Sequence, residues 1–266
     1  MSIISQKIGS MEYLTAENIA APHCFTTRLG GVSSGYLSSW NLGHHRGDRE
    51  EAVEENYRRL SSLLDFPLQK LVPAHQTHST LVRAVTDRDA GLGTDHRLYP
   101  QCDGLITATR GLALMVFTAD CTPILLHDPV TGAVGAVHAG WRGTAGGIAA
   151  EAVRGMVRHY GCRPENIRAA IGPNIDRCCF QTDSDVPEAM LAALGDAALP
   201  HIRQVGQKYY VNLKALNEVF LRREGVKNIT VSTECTACRP DRFWSHRVTG
   251  GQRGSQGAII VCKEGI

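Results

Sequence analysis

The sequence predicts a single domain that combines helices and sheets, of the α/β or the α+β class. Three observations predict this class. The chain has 266 residues, 43% hydrophobic and 20% charged, so it can bury a sizeable core in one unit. Helical periodicities and short apolar segments rich in Val, Ile and Leu alternate irregularly along it. No internal repeat, low-complexity tract or linker divides the chain, so we expect residues 1–266 to form one domain.

Four helices are predicted from apolar stripes of helical period and from capping residues. Their predicted starts are Asp48, Thr144, Asp183–Ser184 and Asn212. Gly161 and Gly225 are expected to end the second and the fourth, because glycine readily takes the left-handed conformation of a helix C-terminus.

Short segments rich in β-branched and aliphatic residues predict the strands. They are Thr80–Thr86, Leu112–Phe117, Ile124–His127, Ala133–His138, Arg168–Ile171, Ile229–Ser232 and Ala258–Cys262. The stretch from residue 112 to 160 therefore reads as strand, Asp-Cys turn, strand, turn, strand, Gly-rich loop and helix.

Composition and charge disfavour several classes of function. The formal net charge is +2 and aromatic residues make up 6%, which disfavours nucleic acid as a partner. The longest apolar runs hold about six residues, where a membrane span needs about 20, and residues 1–13 do not resemble a signal peptide. The nine cysteines are an odd number at irregular spacings, which predicts reduced thiols. We therefore expect a soluble, cytoplasmic protein without membrane contact, a monomer or small homo-oligomer.

Metal-competent side chains concentrate in three segments at the ends of predicted strands. They are His75–His78, Ala119–Pro123 and His138–Gly143. A site of two His and one Cys leaves one tetrahedral position open, which is typical of a catalytic zinc. The spacing alone leaves open the alternative that these residues simply pack in the core.

Three further loops combine glycine with arginine. Gly140–Thr144 opens a helix, where free N–H groups favour an anion and Arg142 could clamp it. Arg28 lies beside paired glycines, and Arg247 and Arg253 accompany glycines near the last predicted strand. Ordinary tight or solvated turns remain the alternative for each loop.

The remaining cysteines give weaker signals. Cys235-Thr236-Ala237-Cys238 is an isolated C-x-x-C motif, and a structural zinc knuckle needs a second pair. The adjacent Cys178 and Cys179 cannot easily bridge each other. We predict ordinary thiols for the motif and assign no role to the adjacent pair.

Taken together, the motifs resemble those of the YfiH/LACC1 (DUF152) family, also called polyphenol oxidase or purine nucleoside phosphorylase. The resemblance spans almost the whole chain, with a core domain of about 25–262. The segments that carry it are Thr27–Ser33, Asn41–Gly43, Gly47–Asp48, Gln76–His78, Ala119–Pro123, His138–Gly143, Ile171–Pro173 with Cys179, and the tail residues Ser245, Arg247 and Arg253. The chain departs from the family at Thr77, Ser79, Gln181–Asp183 and Trp244–Arg247, which bears on substrate preference and removes no ligand.

The resemblance implies an α+β fold, a single domain with mixed β-sheets flanked by helices. It also implies a single Zn²⁺ held by His78, Cys121 and His138, and not by His75. It implies a transferase that phosphorolyses adenosine, inosine and methylthioadenosine, with a possible hydrolase side activity as adenosine deaminase. The site residues carried over fall into two groups. Those expected to be catalytic are Cys121, His138, Arg28 and Asp120. Those expected to bind substrate or phosphate are Arg28, Asn41, Arg142, Arg247 and Arg253.

Phosphorolysis requires phosphate held in line with the anomeric carbon and a stabilised leaving base. Our hypothesis is that zinc and nearby arginines orient the phosphate, while polar groups assist the purine. Asp120 could instead support the metal-bound Cys121. Zinc-bound hydroxide would account for deamination.

Three alternatives stay open. The first is a laccase-like copper oxidase: the chain has 11 His and no His-x-His pair, but one Cys and two His can bind a single copper. The second is an amide hydrolase with Cys121 as nucleophile. The third is a metal-bearing interaction module without enzymatic activity.

Overall fold

A computed structural model describes residues 1–263. These residues form two six-stranded sheets, one three-stranded sheet and six α-helices. The strands in chain order are β1 Ile3–Ile8, β2 Met11–Ala16, β3 His23–Thr26, β4 Leu71–Pro73, β5 Val82–Ala84, β6 Gly104–Thr107, β7 Ala113–Thr118, β8 Thr122–His127, β9 Val134–Ala139, β10 Arg168–Ile171, β11 Gln181–Thr182, β12 Ile202–Val205, β13 Lys208–Val211, β14 Asn228–Val231 and β15 Gln256–Val261. The helices are α1 Glu50–Leu64, α2 Trp141–Ala145, α3 Ile148–Tyr160, α4 Asp185–Leu194, α5 Leu213–Arg223 and α6 His246–Thr249.

Both large sheets are mixed. The first has the order β1-β2-β3-β15-β7-β4, in which only β4 and β7 pair in parallel. The second has the order β14-β10-β8-β9-β6-β5, with parallel pairs at both of its edges. The chain passes from the first sheet to the second between β4 and β5 and again between β7 and β8. These two crossings bring residues 74–81 and 119–121 to the same end of the molecule.

The buried apolar residues define four layers in the order α1, first sheet, second sheet, and α3 with α5. The largest core cluster joins the facing sides of the two large sheets, with Phe25 and Val116 from the first and Leu125 and Ala136 from the second. The outer face of the second sheet packs against α3 and α5, and the outer face of the first packs against α1. Removing such apolar area from water is worth about 25 cal/mol per Å². The site described below is therefore built on strands buried on both faces.

The predicted α+β class, with mixed sheets flanked by helices, is confirmed. The helix predicted from Asn212 is confirmed too, because the Asn212 side chain accepts from the Ala215 N–H at the start of α5. The first helix begins one residue later than predicted, since Arg49 occupies the cap position. The helix predicted from Thr144 to Gly161 is in fact two, because Gly147 adopts a left-handed conformation (φ 74°) between α2 and α3.

All seven predicted strands exist, with ends displaced by up to two residues; β10 matches its prediction residue for residue. The strands absent from the prediction are β1–β4, β6 and β11–β13. Several of these are four residues or shorter, and some of them, such as β4, pair only with a strand that is distant in sequence. No helix among residues 1–263 is long and apolar enough to cross a membrane.

Candidate functional site

Three of the predicted residues meet where the chain crosses between the two large sheets. His78 lies in the loop between β4 and β5, Cys121 follows β7, and His138 lies on β9. Each offers one donor atom, and these atoms all lie within 4.8 Å of one another. The His78 Nε2 is 3.9 Å from the Cys121 Sγ, and the two imidazole rings lie edge to face with centroids 5.0 Å apart. Two imidazoles and a thiolate at this spacing suit a tetrahedral d¹⁰ ion with one position open.

A buried carboxylate, Asp103, organises both histidines. Its Oδ1 accepts from the His138 Nδ1 at 2.8 Å and from the His78 backbone N–H at 3.0 Å. Its Oδ2 accepts from the Thr77 and Ser79 N–H groups and from the Ser79 hydroxyl, at 3.1, 2.7 and 2.7 Å. The His138 Nδ1–H therefore points at Asp103, which leaves Nε2 free to bind a metal.

The site favours a thiolate at Cys121. Burial alone raises the pKa of Cys121, but the adjacent His138 and His78 outweigh burial and lower that pKa to about 6. Burial alone lowers the pKa of His138, while Cys121 and Asp103 raise it to about 9. Burial likewise opposes ionisation of Asp103, yet hydrogen bonds from His138 and Ser79 hold its pKa far below the usual range. The thiolate is the form in which cysteine binds metals.

Local backbone geometry fixes the three donor residues in place. The Gln76 side chain donates to the Phe117 carbonyl at 2.8 Å and accepts from the Phe117 N–H at 2.7 Å, which ties the loop of His78 to β7. Gly140, after β9, leaves no room for a side chain: a Cβ there would lie 2.9 Å from the His78 Cδ2 and 3.3 Å from the Cys121 Sγ. Gly140, in the loop predicted to favour an anion, therefore makes room for the His78 and Cys121 side chains.

A cleft opens over the three donors. Its empty space is about 570 Å³ when the open mouth is included. The residues that line it are Gly43, His44, Arg46, Gln76, His78, His96, Phe117, Thr118, Ala119, Cys121, His138, Arg253 and Ser255.

Two guanidinium groups give this cleft its positive charge. Arg253 donates to the Gly254 carbonyl and the Ser255 hydroxyl, but its buried Nε has no hydrogen-bond partner. Burial first, and then the neighbouring Arg46, lower the pKa of Arg253 to about 10, so it remains a cation at neutral pH. An unpaired buried N–H beside a second arginine is a site that an anion would satisfy.

Two predicted substrate residues, Arg28 and Asn41, lie outside the lining of the cleft. The Arg28 guanidinium donates to the carbonyls of Ser38 and Pro240 and packs over the Trp244 ring at 5.3 Å. Asn41 is fully buried, and its side-chain oxygen accepts from the N–H groups of Gly43 and Ser255. Asn41 therefore holds Gly43 and Ser255, which line the cleft, whereas the residues that Arg28 joins lie outside its lining.

Arg142 and Arg247 also lie outside the lining. The Arg142 guanidinium stacks on the Trp141 ring at 4.2 Å and is exposed. The Arg247 guanidinium donates to the carbonyls of Cys179 and Gln181. Both guanidinium groups therefore contact residues outside the lining of the cleft.

Asp120, predicted to be catalytic or to support Cys121, is buried beside that cysteine. Its carboxylate accepts from the Thr236 hydroxyl at 2.6 Å, the Ser245 hydroxyl at 3.0 Å and the Arg247 N–H at 2.7 Å. Its backbone has a φ of 91°, a region that costs a non-glycine residue energy and that these contacts enforce. Asp120 is therefore directed away from the donors and shapes the turn that presents Cys121.

Sequence reasoning missed several residues of this site. Arg46 stands between two motifs that were recognised, Asn41–Gly43 and Gly47–Asp48, and its position in a Gly-flanked basic run was an available signal. His96 and Phe117 form an aromatic wall with centroids 5.2 Å apart. For Asp103, the only signal in the sequence was that an acidic residue stands just before an apolar segment. His75 donates through Nδ1 to the Tyr99 carbonyl at 3.0 Å and does not belong to the donor cluster.

Comparison with known proteins finds similarity along almost the whole chain. A family model described as "Multi-copper polyphenol oxidoreductase laccase" matches residues 22–263. The purine nucleoside phosphorylase YlmD of Geobacillus stearothermophilus is 39% identical over 244 residues, covering 90% of this chain and 89% of that protein. A purine nucleoside phosphorylase of Deinococcus radiodurans is 38% identical over 248 residues, covering 93% and 91%. The crystal structure of YlmD from Geobacillus stearothermophilus superimposes with a TM-score of 0.92 at 37% identity, over 98% of this chain and 100% of that one.

Proposed function

We propose that this chain, which belongs to the family described as multi-copper polyphenol oxidoreductase laccase, is a zinc-dependent purine nucleoside phosphorylase. Relatives at 38–39% identity carry the name purine nucleoside phosphorylase. The observation that carries the proposal is one cleft that joins the His78, Cys121 and His138 donors to the unpaired Arg253 guanidinium. The substrates we propose are inorganic phosphate and adenosine, inosine or methylthioadenosine, in the cytoplasm.

The donor set fits zinc. His78, Cys121 and His138 would hold the ion, and bound zinc would supply Lewis-acid stabilisation of negative charge in the cleft. Asp103 fixes the tautomer of His138 and the backbone of His78 and is therefore a positioning residue. We assign positioning roles also to Asp120, Arg28 and Asn41, which shape the loops around the donors.

Arg253 and Arg46 supply the phosphate-binding end of the cleft. The free Nε of Arg253 can donate to one phosphate oxygen, and Arg46 adds a second positive charge from the loop that precedes α1. Hydrogen bonds between charged partners contribute about 1.5–3 kcal/mol each. Holding phosphate in this way orients it for attack on the anomeric carbon and offsets the entropy of bringing two substrates together.

Phe117 and His96 supply an apolar, aromatic end that suits a purine. Burial lowers the pKa of His96 to about 4, so its ring is neutral at physiological pH. A neutral imidazole keeps one N–H donor and one acceptor, and the buried His96 Nδ1 has no partner. A hydrogen bond from this ring to a purine nitrogen would stabilise the departing base.

The composition of the cleft favours phosphorolysis over deamination. Zinc deaminases use a glutamate as general acid and base beside the metal. No Asp or Glu is among the described residues that line the cleft, and Asp103 and Asp120 are both occupied by other hydrogen bonds. Adenosine deamination is therefore proposed only as a side activity.

Cys121, His138 and Asp103 also form a Cys-His-Asp arrangement, which supports an amide hydrolase as the second candidate. Metal bound to Cys121 would block this role. Covalent labelling of Cys121 by an electrophile in the metal-loaded protein would favour the hydrolase over the phosphorylase.

The decisive experiment measures purine release from inosine and adenosine by protein of known metal content, with and without phosphate. We expect release that requires phosphate, is lost after chelation and returns with zinc. Release without phosphate would indicate hydrolysis, and no release by zinc-loaded protein would refute the proposal. Oxidation of phenols by copper-loaded protein would instead support the oxidase alternative.

A charge variant tests the phosphate site directly. Arg253→Gln should raise the KM for phosphate about 10- to 100-fold, since it removes a hydrogen bond between charged partners. Arg222→Gln is the matched control, because Arg222 lies on the outer surface of α5, paired with Glu218. Equal KM values for phosphate in the two variants would contradict the assignment of Arg253.

A further inference from the structure

Four cysteines gather near Asp120, outside the lining of the cleft. Cys178 and Cys179 lie before β11, and Cys235 and Cys238 lie after β14. Their sulfur atoms all lie within 4.8 Å of one another. The Sγ of Cys238 is 3.5 Å from that of Cys178 and 3.4 Å from that of Cys179. The C-x-x-C motif, isolated in the sequence, thus acquires its second pair through folding.

These separations match metal ligation better than disulfide bonding. A tetrahedral zinc with Zn–S bonds of about 2.3 Å places its sulfurs about 3.8 Å apart. A disulfide needs about 2.05 Å. All nine cysteines are free thiols in this structure. Four uncoordinated thiols would gain little from this crowding, whereas a thiophilic cation would use all four.

The backbone around the cluster is already arranged for ligation. The Asp176 N–H donates to the Cys235 Sγ at 3.3 Å, the kind of N–H···S contact that stabilises a thiolate. A parallel bridge joins Asn174 to Cys235, and the Thr236 N–H donates to the Asn174 carbonyl at 2.9 Å. The two cysteine-bearing loops are therefore held in register without the metal.

We propose that Cys178, Cys179, Cys235 and Cys238 form a second, structural zinc site. Its coordination is complete, since four thiolates fill a tetrahedral ion and leave no position for a substrate. Each thiol releases its proton as it binds, so the bound ion and four thiolates carry a net charge of −2. The site cross-links loop 174–181 to loop 232–238.

The cross-link acts on the turn that presents Cys121. Thr236, inside the C-x-x-C motif, donates its hydroxyl to the Asp120 carboxylate, and Ile175 donates its N–H to the Asp120 carbonyl at 2.9 Å. Both loops of the cluster thus contact the residue beside Cys121. The second zinc stabilises the outer support of this turn and contributes no ligand to the cleft.

Metal analysis of the protein purified in reductant tests the proposal. We expect two zinc ions per chain, falling to one in Cys178→Ser/Cys238→Ser and to one in Cys121→Ser. Cys162→Ala is the matched control, since it removes a buried thiol outside both clusters, and it should keep two. Cobalt-substituted Cys121→Ser should show the strong charge-transfer absorption of a site with four thiolates. One zinc per chain in the wild type, unaffected by Cys178→Ser/Cys238→Ser, would overturn the second site.

Differential alkylation of the wild-type protein keeps the test independent of variant folding. Cys178 and Cys238 are exposed, so without a metal they should react readily with iodoacetamide. We expect all four cluster cysteines to be protected in the zinc-loaded protein and labelled after chelation. Equal labelling before and after chelation, or a disulfide within the cluster in protein kept reduced, would refute the proposal. Neither result depends on purine release, so failure here is distinguishable from failure of the proposed enzymatic function.

Discussion

Replacement of Asp103 by Asn would perturb the proposed metal site without replacing any of its three donor residues. The carboxylate accepts five hydrogen bonds, two at Oδ1 and three at Oδ2. An amide has one accepting oxygen, so at least two of these donors must face the NH₂ group. A buried donor left unpaired costs about 1–3 kcal/mol. We therefore expect Asp103→Asn to lower the free energy of unfolding by about 3 kcal/mol.

The same change should weaken metal binding. Loss of the partner that orients a ligating histidine typically costs 10- to 100-fold in affinity, or about 1.4–2.7 kcal/mol. Competition with a chromophoric chelator measures this affinity, and denaturant unfolding measures the stability. Asp128→Asn is the matched control: Asp128 is equally buried and accepts from Val130 and Thr131 in the turn between β8 and β9.

The control should lose some stability and no metal affinity. The reasoning is refuted if Asp103→Asn binds zinc as tightly as the wild type. In that case the carboxylate serves only the folding of loop 77–79, and the orientation of His138 does not depend on it.

Two further predictions follow from close contacts elsewhere. Gly140→Ala should displace His78 or Cys121 and reduce metal affinity about tenfold or more, because the added Cβ would lie 2.9 Å from the His78 ring; unchanged zinc affinity would contradict the tight contact. For Glu12, burial raises the pKa, but the ion pair with Arg242 outweighs it, so the net pKa is lowered. A lowered pKa means stability that is present at neutral pH and lost as the carboxylate protonates, below about pH 4.3. Unfolding midpoints should therefore fall more steeply with acidification in the wild type than in Glu12→Gln, and parallel pH profiles would show that the ion pair contributes nothing.

Local signals in the sequence predicted the elements that depend on local interactions. Asn212 caps α5 with its own side chain, and Gly161 ends α3 in a left-handed conformation, so both helix ends could be predicted without the fold. The short strands β4 and β6 were not predicted, because β4 ends in Pro73 and β6 begins with Gly104, and both residue types are depleted in strands. Their pairing depends on β7, β9 and β5, which fold against them from elsewhere in the chain.

The residues of the site also divide into those that the sequence predicts and those that only the fold brings together. Residue type and motif indicated His78, Cys121 and His138, which the fold brings within 4.8 Å. Asp103 acquires its importance only when β6 pairs with β9, since that pairing aligns it with His138. The cysteine pairs are likewise far apart in sequence, so the second cluster became visible only in three dimensions.

The central position of β15 has a consequence for synthesis of the chain on the ribosome. β15 lies between β3 and β7, yet residues 256–261 are translated after every other strand of that sheet. Until then β3 and β7 each carry an unpaired edge, and such edges can pair with other chains. The two parts of the first sheet therefore cannot be joined while residues 119–255 are translated. Over that interval the nascent protein must be kept from aggregating. Early termination anywhere in that interval would yield two half-sheets with no strand to join them.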